Sequence, residues 1–463
     1  MVFNSLQFLV FFMVVSILYY QIKNQKGRVW LLLLSSCYFY MTFVPLYILI
    51  LGFTIVIDYC AGLVISQSEG RKRKAWLTLS VIANVGILVF YKYFNFLLGN
   101  IEPIITYLVP KAKVPYMNII LPIGLSFHTF QAMSYTIEVY RGNQKPERNF
   151  IVYALYVMYY PQLVAGPIER PQNMLHQFHE YRTYNWDNIK EGLARMLWGF
   201  FKKVVIADRV SIAVDYAFNN HTTLSWWSLL IAAMLYSFQI YCDFSGYSDI
   251  ALGASKVIGI QLMENFNEPY KSKNITEFWT RWHISLSSWF RDYVYIPLGG
   301  NRLGEKRRKL NVFIVFLLSG LWHGANWTFV AWGSLHGALV TIFPAKNKAG
   351  SKANGAATAV FIVINFLIVT CFWVFFRASN ISEAGKYLAE IFSFKGGVSK
   401  FGLNAVELLF SAGFIAAMLF RENKFKSHYI KSNTSFAIYL TLMIACCYFF
   451  GVFGENQFIY FQF

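Results

Sequence analysis

The chain has 463 residues, of which 56% are hydrophobic and 19% aromatic, while only 14% carry a charge. That balance lies far from the averages of soluble domains and excludes a water-soluble globular protein. The formal net charge of +18 does not point to nucleic acid, because the basic residues fall in short loops between apolar runs, where they orient a membrane protein.

In chain order, runs apolar enough to cross roughly 30 Å of hydrocarbon cover about Val2 to Ile22, Trp30 to Phe43, Leu46 to Ile65, Ala75 to Leu98 and Ile119 to Ile137. More follow at Ile151 to Val164, Leu193 to Phe218, Leu224 to Ile260, Val312 to Phe343, Ala357 to Phe376, Leu403 to Phe420 and Ser435 to Phe453. They predict an all-α, polytopic integral membrane protein of about 11 or 12 spans, one membrane-embedded domain over residues 1–463. The first run lacks a basic leader and a small-residue cleavage site, and reads as a span and not a signal peptide. Basic clusters at Lys23 to Arg28, Arg71 to Lys74, Arg141 to Arg148, Arg302 to Lys309, Lys346 to Lys352 and Arg421 to Lys431 all become cytoplasmic if both termini lie outside. Leu310 to Phe343 must then be a pair of short segments, with His323 near their junction, at depth.

Two stretches break the simple pattern. Pro161 to Asp187 is polar and aromatic, and Gly192 to Ala217 carries Lys202, Lys203, Asp208 and Arg209; both predict interfacial or re-entrant helices. Leu224 to Ile260 is too long for one span and holds Asp243, Gly246 and Asp249, which predicts a break around Asp243 to Ser248. Those aspartates would cost about 2.5 to 3.5 kcal/mol each at a helix centre, so they should face protein or water. Gln239 and Asp243, four apart, share a face that either lines a cavity or braces the bundle.

The chemistry concentrates in two blocks, about 274–302 and 319–337. His323 sits in Ser319-Gly-Leu-Trp-His-Gly-Ala-Asn-Trp327, and an ionisable ring in so apolar a run is costly unless satisfied or used. In a continuous helix Asn326 and Trp327 share its face, whereas His336 points about 220° away and reads as structural. In the earlier block a continuous helix would align Trp279, His283 and Ser287 on one side, beside Trp282, and Arg281, Ser285, Ser288 and Asp292 on another. The alternative there is an interfacial helix whose arginines meet lipid phosphates. His176 and His179 lack further metal ligands, His128 reads as structural or as part of an acceptor path, and His221 and His428 read as surface loop residues. The six cysteines, without metal-ligand or C-x-x-C spacing, read as core, and no metal site is expected.

These blocks, with Leu121-Pro-Ile-Gly-Leu-Ser-Phe-His-Thr-Phe130, Pro161-Gln-Leu-Val-Ala-Gly-Pro-Ile168, Tyr241-Cys-Asp-Phe-Ser-Gly-Tyr-Ser-Asp249, Asn265-Phe-Asn267, Phe278 to Leu286, Trp289 to Arg302 and Phe458 to Phe463, resemble the membrane-bound O-acyltransferase family, in its bacterial alginate O-acetylase-like branch. The resemblance implies a helical bundle around a central tunnel, with His323 and His283 as the two histidines of the site at mid-membrane depth. His323 would be the general base that takes a hydroxyl proton during attack on a thioester. His283 would polarise the carbonyl or hold the oxyanion if it presents an N–H. Arg281, Arg291 and Arg302 would attract donor phosphates at the cytosolic mouth, or simply anchor the loop.

The function so implied is transfer of an acetyl group from a cytosolic thioester, acetyl-coenzyme A, across a bacterial cytoplasmic membrane for O-acetylation of an extracytoplasmic polysaccharide such as alginate or peptidoglycan. The donor is a substrate, and no permanently bound cofactor is expected. The resemblance further implies a separate exported, SGNH-hydrolase-like acetyltransferase partner, besides membrane lipids; no nucleic acid is involved. Two alternatives stay open: D-alanyl transfer to teichoic acid from a carrier-protein thioester, and a polysaccharide or lipid transporter or flippase.

Overall fold

The structure is a computed structural model that describes residues 1–110, 114–164, 166–343, 355–425, 432–454 and 458–459. The basic run Lys346 to Lys352, most of Arg421 to Lys431 including His428, and the final Tyr460 to Phe463 lie outside the described residues. The chain forms two compact units, residues 1–193 with 251–263, and residues 194–250 with 264–463.

The first unit holds α1 (Leu6–Gln21), α2 (Gln25–Met41), α3 (Tyr47–Gln67), α4 (Gly70–Leu88), α5 (Phe94–Leu108), α6 (Leu125–Arg141), α7 (Phe150–Met158), the single turn α8 (Tyr160–Leu163) and α9 (Pro171–His179). Helices α1, α2 and α7 start where the sequence supplies a cap: Ser5, Asn24 and Asn149 each accept a backbone N–H of the following turn. A buried polar knot joins α3, α4 and α6, with Ser80 donating to Asp58 at 2.6 Å and lying 2.9 Å from the Thr136 hydroxyl, and Asn84 Nδ2 donating to Asp58 at 2.9 Å. Hydrocarbon has no water to solvate a carboxylate, so these donors hold Asp58 inside the bundle.

Along the chain follow α10 (Trp186–Phe200), a π-helical stretch (Phe201–Ala207), α11 (Asp208–Asn219), α12 (Trp226–Ile258), α13 (Ile275–Arg281), α14 (Ile284–Phe290), α15 (Glu305–His323), α16 (Trp327–Ile342), α17 (Gly355–Arg377), α18 (Ile381–Phe392), α19 (Ala405–Phe425) and α20 (Asn433–Phe450). Five helical stretches among the described residues are long and apolar enough to cross a membrane: Tyr47–Gln67, Gly70–Leu108, Trp226–Ile258, Gly355–Arg377 and Asn433–Phe450. The protein is an all-helical membrane protein.

The break within α12 and the uniform burial of the cysteines are corrected. The break foreseen at Asp243 to Ser248 does not occur, since α12 runs unbroken for 33 residues, about 50 Å at 1.5 Å per residue. Its aspartates are neutralised instead: Lys203 Nζ lies 2.6 Å from Asp243 and 2.9 Å from Asp208, and Lys202 Nζ lies 2.6 Å from Asp249, which also meets Arg195 at 2.9 Å. Gly246 marks a close crossing, because a Cβ there would sit 2.8 Å from the Gly199 carbonyl oxygen. The same pairing accounts for the charges of Gly192 to Ala217. Lys202 and Lys203 are buried, turned toward the carboxylates of α12. The cysteines are also less uniform than expected: Cys242 is buried, Cys60 is exposed and the other four are intermediate.

Candidate active site

His283 stands between α13 and α14 in a left-handed backbone conformation, φ 43° and ψ 56°. Few residues other than glycine adopt this region, and one that does so in a core is held there by its surroundings. The holding element is the segment 265–267: Asn267 N–H donates to the Arg281 carbonyl and Ile284 N–H to the Asn265 carbonyl, each at 2.9 Å. The expected continuous helix through Trp279, His283 and Ser287 is therefore absent, and the shared faces inferred from it do not exist.

The same asparagine fixes the imidazole. Asn265 Oδ1 accepts the Ser285 backbone N–H at 3.2 Å and its hydroxyl at 2.9 Å, and faces His283 Nδ1 at 3.0 Å. A backbone N–H is only a donor, so the atom it meets is the amide oxygen, and Nδ1 must carry the proton. In the neutral ring the lone pair then lies on Nε2. The fully buried ring meets Phe244 edge-on at 4.6 Å and Trp322 at 6.1 Å between centroids.

His323 is the last residue of α15, 3% exposed. Its ring contacts Trp322 and Trp332 at 5.0 Å each and Phe376 at 5.3 Å. Trp322 thus touches both histidines. The pair α15 and α16 is the pair of short segments foreseen, and they cross closely, a Cβ on Gly333 lying 3.1 Å from Gly320 Cα. Gly324 is extended and ends α15, and Asn326 caps α16 by accepting Thr328 N–H at 3.0 Å. The reading of Asn326 and Trp327 as partners on His323's helix face is corrected by that break: Asn326 Nδ2 donates to the Ser379 carbonyl at 2.9 Å, and Trp327 is 52% exposed.

Residues 142–381 match the model of the membrane-bound O-acyltransferase family. The chain belongs to this family. Among its relatives, a protein of Pseudomonas aeruginosa named probable alginate O-acetylase is 42% identical over 85% of this chain and 75% of its own length. The peptidoglycan O-acetyltransferase of Helicobacter pylori is 37% identical over 88% of this chain and 81% of its own. The teichoic acid D-alanyltransferase of Bacillus subtilis is 30% identical over 59% of this chain and 72% of its own.

In this membrane-bound O-acyltransferase the remaining candidates are spread around the two histidines. Trp279 Nε1–H donates to His336 Nδ1 at 3.2 Å, which leaves the His336 proton on Nε2 and gives that ring a structural partner. Trp332 links it to His323, with 4.9 Å between the Trp332 and His336 centroids; the angle computed from a continuous helix did not foresee this. Trp282 is buried against Tyr241, Phe266 and Trp373, and Ser287 donates to its carbonyl at 3.3 Å. Arg281 pairs with Glu277 at 2.7 Å, and exposed Arg291 with Asp292 at 2.8 Å. Asp243 braces, through Lys203, and Gln239 is buried one turn before it.

His176 contacts the Gln172 carbonyl and His179 pairs with Glu147 at 2.8 Å. His221 is not a surface residue: it is 9% exposed and meets Glu383 at 3.0 Å. His128 is buried in α6, and neither ring nitrogen meets a hydrogen-bond partner among the described residues. Sequence reasoning gave no role to Asn265, Trp322 or Trp332, and placed Ser285 only on a helix face apart from His283. Asn265 stood within a quoted string, but nothing local announces that it reaches across to residue 283.

Proposed function

We propose that this acyltransferase takes an acetyl group from cytosolic acetyl-coenzyme A and passes it across the bacterial cytoplasmic membrane toward a hydroxyl of an extracytoplasmic polysaccharide. Both termini lie outside in this reading, and a separate exported SGNH-hydrolase-like partner completes the transfer. The names of the relatives from Pseudomonas aeruginosa and Helicobacter pylori, both O-acetyl transfer to an envelope polymer, support the acetyl group and the polymeric acceptor.

The observation that carries the mechanism is the contrast in how the two rings are held. His323 ends α15, and the carbonyl end of a helix stabilises positive charge. His323 is therefore the general base. It takes the hydroxyl proton as the oxygen attacks the thioester carbonyl carbon; the carbon–sulfur bond breaks, and the departing thiolate recovers a proton from the imidazolium. His283 has its one proton committed to Asn265, so the oxyanion role expected for it is revised. Its Nε2 lone pair instead accepts from a second, neighbouring hydroxyl of the acceptor and so aims the attacking one at the thioester. The donor that serves the oxyanion is the Trp332 indole N–H, buried beside His323 and without an acceptor among the described residues.

The test is thiol release from acetyl-coenzyme A by purified protein in lipid nanodiscs, with envelope-polymer acetylation followed by mass spectrometry in a deletion strain. His323→Ala is expected to abolish both while the protein remains folded. Full turnover in that variant would remove His323 as base. Turnover only with a D-alanyl carrier-protein thioester would replace the acetyl reading by D-alanyl transfer, the activity in the name of the Bacillus subtilis relative.

A further inference from the structure

After α20 the described residues, 451–454 and 458–459, make backbone bonds within their own unit. A π-helical turn shifts hydrogen bonding from the fourth to the fifth residue and leaves a carbonyl exposed to other partners. Within Phe201–Ala207 the Val204 carbonyl accepts Val452 N–H at 2.9 Å. Arg209 Nη2 donates to the Phe450 carbonyl at 2.8 Å, tying off the end of α20. Further along, Ile459 N–H donates to Asp243 Oδ2 at 2.7 Å, while Lys203 holds the other oxygen of that carboxylate at 2.6 Å. Phe458 stacks on Tyr247 at 4.9 Å and leans on Phe244 at 5.7 Å, and Phe244 in turn meets the His283 ring edge-on at 4.6 Å. Both Phe458 and Ile459 are buried.

We propose that the pair Phe458–Ile459 is a strap that positions His283: Asp243, oriented by Lys203, receives it through Ile459 N–H, and Phe458 presses Phe244 against the imidazole. Asn265 fixes one edge of the ring and the strap backs another, so the Nε2 direction is set from two sides. Phe458, Asp243 and Lys203 are positioning residues, since they act through Phe244. The catalytic consequence rests on the reading of His283 as a group that touches the acceptor.

The experiment compares full-length protein with Phe458→Ala and Ile459→Pro, the second of which deletes the N–H that meets Asp243. Two quantities are read. One is the rate at which diethyl pyrocarbonate modifies His283, followed by peptide mass spectrometry with His323 in the same sample as reference; the other is the split of acyl transfer into kcat and KM. Both variants are expected to raise His283 modification several-fold with His323 unchanged, and to lower kcat about tenfold at constant KM for the donor, with Phe458→Leu recovering most of the loss. Unchanged His283 modification, or an equal rise at both histidines, would overturn the strap. Selective loosening of His283 with full turnover would uphold the strap and remove His283 from the reaction.

Discussion

The surroundings of His283 and His323 solve the placing of a buried imidazole in opposite ways. Around His283 the frame is polar and long-range: a left-handed residue, an asparagine from residue 265 and a serine two residues on. Around His323 the frame is aromatic and local, built from its neighbour Trp322 and from Trp332 and Phe376 on the next two helices. Hydrogen bonds select a tautomer, whereas ring edges and faces restrict a ring's position. The proposed mechanism asks His283 to point one way, which suits the first frame.

His323→Ala tests that contrast most severely and should reduce acyl transfer by about 10³-fold or more, as loss of a general base does, measured as thiol release. Trp332→Phe keeps an aromatic wall but removes the indole N–H, and should lower kcat by about 100-fold, the loss typical of one oxyanion donor, with donor KM little changed. Asn265→Ala frees the His283 tautomer and should cost about 10-fold to 100-fold in kcat, while Asn265→Asp, which keeps an acceptor for Nδ1–H, should retain more; equal losses in the two variants would dissolve the polar frame as an explanation. At the small end, Trp327→Ala should leave kcat within about twofold, because an exposed residue outside such features rarely costs more than about 0.5 kcal/mol. A large loss there would return Trp327 to the site.

What the sequence made legible follows from what is local. Apolar runs and basic loops revealed the helices and the α15–α16 pair, because hydrophobicity and charge act within each segment. The Gly324 break was foreshadowed by Gly-Ala-Asn, a loop ending in a good cap. The break at His283 was not, since Arg-Trp-His-Ile holds neither glycine nor proline and the turn is imposed from residues 265–267. The opposite error occurred in α12, where Asp243, Gly246 and Asp249 resemble helix breakers until Lys203, Gly199 and Lys202 arrive from the preceding helices. His323 and His283 were recognisable by type and context, whereas the tautomer of His283 depends on an asparagine eighteen positions upstream.

The matching of Lys202 with Asp249 and of Lys203 with Asp243 also constrains how the chain enters its membrane. Presented alone to the translocation machinery, either partner would bring the two charges of these pairs unmatched, each costing about 2.5 to 3.5 kcal/mol at mid-bilayer. Presented together, with residues 186–219 against 226–258, the charges of the two pairs are matched before hydrocarbon closes around them. Pairwise insertion is then the less costly route, and a single lysine-to-methionine change in this stretch is expected to lower the yield of inserted protein, read by quantifying the protein in the membrane fraction.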